Sequence, residues 1–169
     1  MHHSIIKSIT AFICLALLPQ FSSADEAMTV NIKRLKLETA MRIAQAAIAQ
    51  CRKEGVQIGV TVVDRGGHPQ VMLRDVLAMD ITIEISKKKA HTALAFNAAL
   101  STLEGRFTKP FQVAKIDPIV ISAGGIPINI GGTIMGGIGV SGAPSGETDE
   151  KCAKAGLEAV AADLEMEGS

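Results

Sequence analysis

The chain has 169 residues, with 17 lysines and arginines against 17 aspartates and glutamates, and neither tyrosine nor tryptophan. A balanced charge without a basic patch or interleaved aromatics lacks the footprint of a nucleic-acid binder, so no nucleic-acid partner is expected. The length suits one domain, and 47% apolar residues supply enough material for a full core.

Residues 1–24 read as a secretory signal peptide. Lys7 and two histidines precede an apolar run from Ile9 to Leu18, and Ser22-Ser23-Ala24 offers small residues before a cut ahead of Asp25. Pro19 and Gln20 stop the run well short of the ~20 residues that a membrane span needs. The expectation is a periplasmic or secreted protein with no membrane span after cleavage. Residues 25–169 then form a single domain.

Leu37 to Glu54 has helical periodicity, with Ala40, Ile43, Ala44, Ala47 and Ile48 recurring at three and four, and Gly55 ends it. Val56 to Val63 is a β-branched run that meets the turn signal Asp64-Arg65-Gly66-Gly67, and Val71 to Arg74 returns as a short strand. Asp80 to Leu103 reads as a second helix with Ile81, Ile85, Ala90, Leu94 and Ala98 on one face. After a loop over Gly105–Lys115, Ile119 to Ser122 is a further short apolar segment. Ile126–Ile130 and Thr133–Ser141 form a hairpin across Gly131-Gly132, and Thr148 caps a last helix that runs to about Glu165. The order is helix, two strands, helix, about three strands, helix. It predicts an α+β domain with a mostly antiparallel, five-stranded sheet packed on helices.

The glycines from Gly124 to Gly142 are threaded through isoleucines, which excludes a flexible linker and a helix. They mark places where backbone bends or something approaches closely, either a helix or a flat ligand. Gly137-x-Gly139-x-x-Gly142 fits a dinucleotide fingerprint, but no strand follows and Asp149 and Glu150 would repel a pyrophosphate. Cys51, near the end of the first helix, and Cys152, near the start of the last, could pair in an oxidising compartment if those helices pack antiparallel. The alternative is two separate buried thiols. Met41, Met72, Met79, Met135 and Met166 read as core filling.

Several segments together resemble one family. They are Val62-Val63-Asp64-Arg65-Gly66-Gly67-His68, Lys89-Ala90-His91-Thr92-Ala93, Gly124-Gly125-Ile126-Pro127-Ile128, Gly136-Gly137-Ile138-Gly139-Val140-Ser141-Gly142 and Asp149-Glu150-Lys151-Cys152-Ala153. In this order and spacing they resemble the GlcG/HbpS family, which includes the C-terminal domain of PduO-type proteins. The resemblance spans roughly Leu35 to Val160. It implies a profilin-like α+β fold, assembly into dimers and larger oligomers, and haem binding, a property of some members. Thr92 matches the threonine of a K-A-x-T-A motif that lies at the haem site of haem-binding members.

Lys87 and Lys88 stand four and three residues before His91 and share its side of the helix. Imidazole is a common axial ligand and the lysines could meet propionates, so Lys87, Lys88, His91 and Thr92 are candidate haem-binding residues. His91 and Thr92 are the candidate iron ligands. The plainer readings are a solvated lysine face, a surface histidine and a packing threonine. His68, after the Gly66-Gly67 turn, is a further candidate, or a turn residue. Asp64 supports that turn, or serves as a general base. Three functions follow. The first is an exported haem-binding protein that stores, scavenges or senses haem or another small flat ligand. The second is a periplasmic enzyme or accessory protein for a small organic acid or aromatic metabolite, using Asp64, His68 or His91. The third is a homo-oligomeric module that docks on a sensor-protein partner.

Overall fold

The computed structural model describes residues 27–109 and 112–168, so the expected signal peptide lies outside the described residues. The chain divides between Asn31 and Ile32, and the fold below is that of the second unit. Its elements are α1 (Leu37–Lys53), β1 (Gly59–Asp64), β2 (Pro69–Arg74), α2 (Ile81–Phe96), short 3-10 turns at Leu100–Leu103 and Val113–Lys115, β3 (Gly125–Ile130), β4 (Thr133–Ser141) and α3 (Gly146–Gly168).

The α+β class is the expected one, with helices on both faces of an antiparallel sheet. The sheet has four strands among the described residues, in the order β2-β1-β4-β3, not five. Ile119 to Ser122 is not a strand. A side chain satisfies its backbone instead: Val120 N–H donates to the Thr92 hydroxyl at 3.0 Å.

Strand alternation divides the sheet into two unlike faces. Val60 and Val62 of β1, Ile126 and Ile128 of β3, and Ile138 and Val140 of β4 pack with Ile43, Ala44 and Ala47 of α1 and Ala153 and Val160 of α3. Burying each large aliphatic side chain contributes roughly 1.5–3 kcal/mol, so this layer dominates the fold's stability. α1 and α3 pass closely at Gly156, where a Cβ would lie 2.7 Å from the carbonyl oxygen of Ile43. Cys51 and Cys152 sit at that contact and are joined as a disulfide, with Cα atoms 5.5 Å apart.

The other face is largely glycine and small residues, with Val63 packed on Ala90 and Leu94, and α2 lies on it. A Cβ on Gly139 would fall 2.0 Å from Ser86 O and 2.5 Å from Ala90 N, and one on Gly137 would fall 2.4 Å from Ala90 O. Thr61 and Ser86 share a buried hydroxyl–hydroxyl hydrogen bond of 2.8 Å in the same layer. These two glycines of the GGIG run therefore admit a helix backbone, which decides between the two readings of the sequence. The same geometry corrects the expected face of α2. Ala90 and Leu94 are buried as expected, but Ile81 is exposed, and the buried stripe continues through Thr82, Ser86, Lys89 and Ala93, because the close approach of the helix backbone to glycine leaves room there for small or slender side chains.

The helix ends follow from local chemistry. α1 stops in a Schellman motif, with Gly55 at φ 77, Gly55 N–H on Arg52 O (3.1 Å) and Val56 N–H on Cys51 O (3.0 Å). α2 stops at Phe96 rather than Leu103 because Asn97 takes the left-handed conformation (φ 45), a role that asparagine tolerates. α3 begins two residues before Thr148: the Ser145 hydroxyl accepts the Thr148 amide at 3.2 Å and is the cap. Gly131 and Gly132 both have positive φ (57 and 81), as a tight type I′ hairpin turn requires. Core filling holds for Met135 and in part for Met41, whereas Met72, Met79 and Met166 are exposed.

Candidate functional site

α2 meets the β1–β2 turn and the 116–118 loop in a small cleft of about 140 Å³, lined by Gly67, Glu84, Lys87, Lys88, His91, Asp117 and Pro118. Three sequence candidates, Lys87, Lys88 and His91, converge here because they share one side of α2. Gly67 (φ 84) makes room for the imidazole: a Cβ there would come within 2.9 Å of His91 Cδ2 and 3.4 Å of Nε2. His91 Nδ1 is buried and has no hydrogen-bond partner. A buried ring nitrogen without a partner is uncommon and calls for an explanation, such as a ligand or an ordered water.

The cleft cations are already paired. Lys88 Nζ bonds the Asp117 carboxylate, and Lys87 Nζ lies 3.9 Å from Glu84. The hydrogen bond from Lys88 to Asp117 and the carboxylate's charge push the Lys88 ammonium above its ordinary pKa. An incoming anion competes with Asp117 for Lys88.

Thr92 does not line the cleft. It is fully buried, its hydroxyl donates to Lys88 O at 2.7 Å and accepts Val120 N–H at 3.0 Å. Those bonds tie α2 to the loop behind His91 and match the packing reading of this residue. A direct approach to iron would require both bonds to rearrange. His68 is also outside the cleft. Its side chain is 81% exposed, with Nδ1 3.5 Å from Asp64 Oδ1. Asp64 supports the turn as expected: its Oδ1 accepts Gly66 N–H (2.8 Å) and His68 N–H (3.0 Å). Burial pushes the Asp64 carboxyl up, but the His68 and Gly66 amides and nearby positive charge outweigh it and hold the group below its ordinary range. A carboxylate held that way is a weak general base.

Sequence reasoning missed the burial of Asp149 and Glu150, as it did that of Asp75. Lys89 Nζ donates to Asp149 Oδ2 at 2.9 Å, with both side chains buried. Burial raises the Asp149 pKa, and Lys89 together with the Ala143 and Gly142 amides opposes that rise without cancelling it. Glu150 accepts Ser101 Oγ (2.7 Å), Ser101 N–H (3.1 Å) and Lys154 Nζ (3.1 Å). Burial raises this carboxyl too, but those donors win and hold it low. Position on the helix was the available signal for Lys89, three residues after Ser86 and one before Ala90 on the small-residue stripe. A larger cleft of about 490 Å³ opens beside Glu150, Lys151, Lys154 and Glu158. It holds none of the predicted residues, and its lysines are paired, Lys151 with Glu54 (2.7 Å) and Lys154 with Glu150.

Comparison with known proteins places this architecture. Residues 35–158 match the family described as haem degrading protein HbpS-like. The crystal structure of HbpS is 37% identical, covers 78% of this chain and 93% of its own, and superposes with a TM-score of 0.74. A crystal structure of a PduOC:heme complex is 26% identical over 75% of this chain and 95% of its own, with a TM-score of 0.67. A 15.0 kDa protein of uncharacterised function, from the dhaT-dhaS intergenic region of Citrobacter freundii, is 31% identical over 117 residues, 66% of this chain and 82% of its own.

Proposed function

Since the chain belongs to the haem degrading protein HbpS-like family, we propose that it is an exported haem-binding protein that stores, scavenges or senses haem. The observation that carries the proposal is the convergence of His91, Lys87 and Lys88 on one cleft, with the Nε2 edge of the imidazole set against Gly67. The haem complex of PduOC supports the choice of ligand. The Cys51–Cys152 bridge and the apolar N-terminal pattern support export, since disulfides persist in oxidising compartments.

The residues fit a haem at its edge. Haem iron supplies a coordination position that imidazole nitrogen commonly fills. His91 offers Nε2 beside Gly67, Lys87 and Lys88 offer cations for carboxylates, and Pro118 offers an apolar wall. Thr92 ties α2 to the loop at Val120. His68, exposed on the same turn as Gly67, would reach a haem only at a site on a neighbouring subunit. The enclosed volume of about 140 Å³ is below the ~300 Å³ of ordinary small-molecule pockets, so the cleft would hold only the edge of a haem and binding would be weak.

A hemin titration of the purified chain, followed by absorbance, tests this. The expected result is a saturable, red-shifted Soret band at stoichiometric ratio, altered by His91→Ala. A broad change without saturation overturns the haem reading. An unaltered band in His91→Ala overturns the placement of the site.

A further inference from the structure

The lysines that line the clefts of this molecule fall into two groups. Lys87 and Lys88 at the α2 cleft, and Lys151 and Lys154 beside α3, each face a carboxylate. Lys33 and Lys36 do not. Among the described residues, neither has a carboxylate oxygen within 4.0 Å.

Both lysines stand where the start of α1 meets the end of α3. Two adjoining clefts open there, of about 260 and 170 Å³, and share Lys33, Met135 and Leu164. Together they reach the size of an ordinary small-molecule site, ~300 Å³ and above. Leu35, Met135 and Leu164 line this groove and are buried in the main core, and Ile130 continues the apolar surface toward the β3–β4 turn. Lys33, Arg34 and Lys36 line it on the α1 side, with Arg34 held loosely by Asp64 at 3.6 Å. The segment that carries these cations is fixed at its backbone. Leu35 is anchored in the core, its carbonyl accepts Gln70 Nε2 at 2.9 Å, and Lys36 O accepts Ala40 N–H at 3.1 Å. A site held in this way costs less to order when a ligand enters.

We propose that this groove binds a monocarboxylic acid with an apolar body, of which a medium-chain fatty acid is the simplest case. The apolar body covers Ile130, Met135 and Leu164, and the carboxylate meets Lys33 and Lys36. An anion arriving there breaks no ion pair of either lysine, whereas one arriving at Lys88 has to displace Asp117. The end of α3 supplies Glu165 and Glu167 to the groove's lining. Three cations against those two glutamates leave one net positive charge, which a singly charged anion neutralises and a phosphate or dicarboxylate exceeds. The glutamates also set the direction, with the ligand carboxylate toward residues 33–36 and away from α3. The groove shares no lining residue with the α2 cleft, so this inference does not depend on the haem reading.

Isothermal titration calorimetry of the purified chain with octanoate tests it. The expected result is saturable binding at one per chain, with no measurable binding of acetate, which lacks the body, or of octylamine, which carries the opposite charge. From hexanoate to decanoate each added methylene should tighten binding about threefold, the scale of burying one such group. Lys33→Gln with Lys36→Gln should weaken octanoate binding about fivefold or more, and Glu167→Gln should tighten it by up to about fivefold. All three positions are exposed, so the far-ultraviolet circular dichroism spectrum should not change. Absence of saturable octanoate binding overturns the proposal. So does acetate or octylamine binding as tightly as octanoate, or a double variant with the affinity of the wild type.

Discussion

Lys89 Nζ lies 2.9 Å from Asp149 Oδ2 in a space cleared by Gly124, where a Cβ would come within 2.7 Å of both Lys89 Nζ and Asp149 Cβ. The pair ties the middle of α2 to the first turn of α3. Removing one member of a buried pair strands the other charge at a cost of about 3–5 kcal/mol. Asp149 already has a raised pKa from burial, and Lys89 is the main group opposing the rise. Without Lys89 the carboxyl moves higher still. A raised carboxyl favours the folded state below its unfolded pKa, and that contribution is lost as pH rises through the folded value. The penalty of Lys89→Met should therefore be full near pH 8 and smaller near pH 5. Urea unfolding at both values measures it, and an equal penalty would show that Asp149 does not titrate as described.

Gly139→Ala should be among the most damaging single methyl additions in the chain. Its Cβ would meet helix backbone at 2.0 Å, which no rotamer relieves. Overpacking costs typically 1–3 kcal/mol, and a backbone clash belongs at or beyond the top of that range. Gly105→Ala has open space around it and only its φ of 76 to contend with, so it should cost about 1 kcal/mol. Thermal unfolding of both variants gives the comparison.

The Cys51–Cys152 bridge closes a loop with a sequence separation of 101. Chain-entropy reasoning assigns such a loop about 4–5 kcal/mol. Guanidinium unfolding with and without a phosphine reductant should differ by an amount of that order. Both cysteines are fully buried, so reduction of the folded protein should be slow and speed up under denaturing conditions.

At the cleft, Asp117 competes with an incoming carboxylate for Lys88. Asp117→Asn removes the competitor and keeps the shape. Hemin should bind up to about fivefold more tightly, the scale of an exposed ion pair, while Lys88→Ala should weaken it. Titration of the two variants side by side distinguishes competition from a passive role for the loop.

The Asp75 carboxyl is held low by the Arg52 hydrogen bonds against the upward push of its burial. A depressed carboxyl contributes stability that is present above its unfolded pKa and lost as pH falls through the folded value. Asp75→Asn should therefore flatten part of the acid limb of the stability profile below about pH 4. Unfolding midpoints collected from pH 3 to 6 check this.

Much of the fold was legible where one residue type has one local use. Gly55 stops α1, Gly131-Gly132 turns the β3–β4 hairpin, and Asp64 braces the β1–β2 turn, each as its chemistry dictates. α2 was harder. Its isoleucines suggested a buried face, and Ala90 and Leu94 of that face are buried, yet Ile81 is exposed and the slender Thr82 and Ser86 turn inward where the helix backbone lies close to the sheet. The run Lys87-Lys88-Lys89 looked like one solvated face, but the helix rotates Lys89 into the interior while its two neighbours stay at the cleft. Of the site candidates, Lys87, Lys88 and His91 fall together because helical spacing alone brings them together. Thr92 and His68 depart from the cleft because their surroundings, a tertiary loop and an exposed turn, are not encoded at short range.

The bridge between α1 and α3 also makes a ring of everything between its cysteines. All four strands, α2 and both walls of the cleft lie on that ring, whereas most of α1 and α3 lie outside it in sequence and are held by core packing. A protease that cuts once between Cys51 and Cys152 linearises the ring but releases nothing. The two halves stay one molecule until a reductant reaches the bond, so a single cut would leave the cleft tethered to its scaffold.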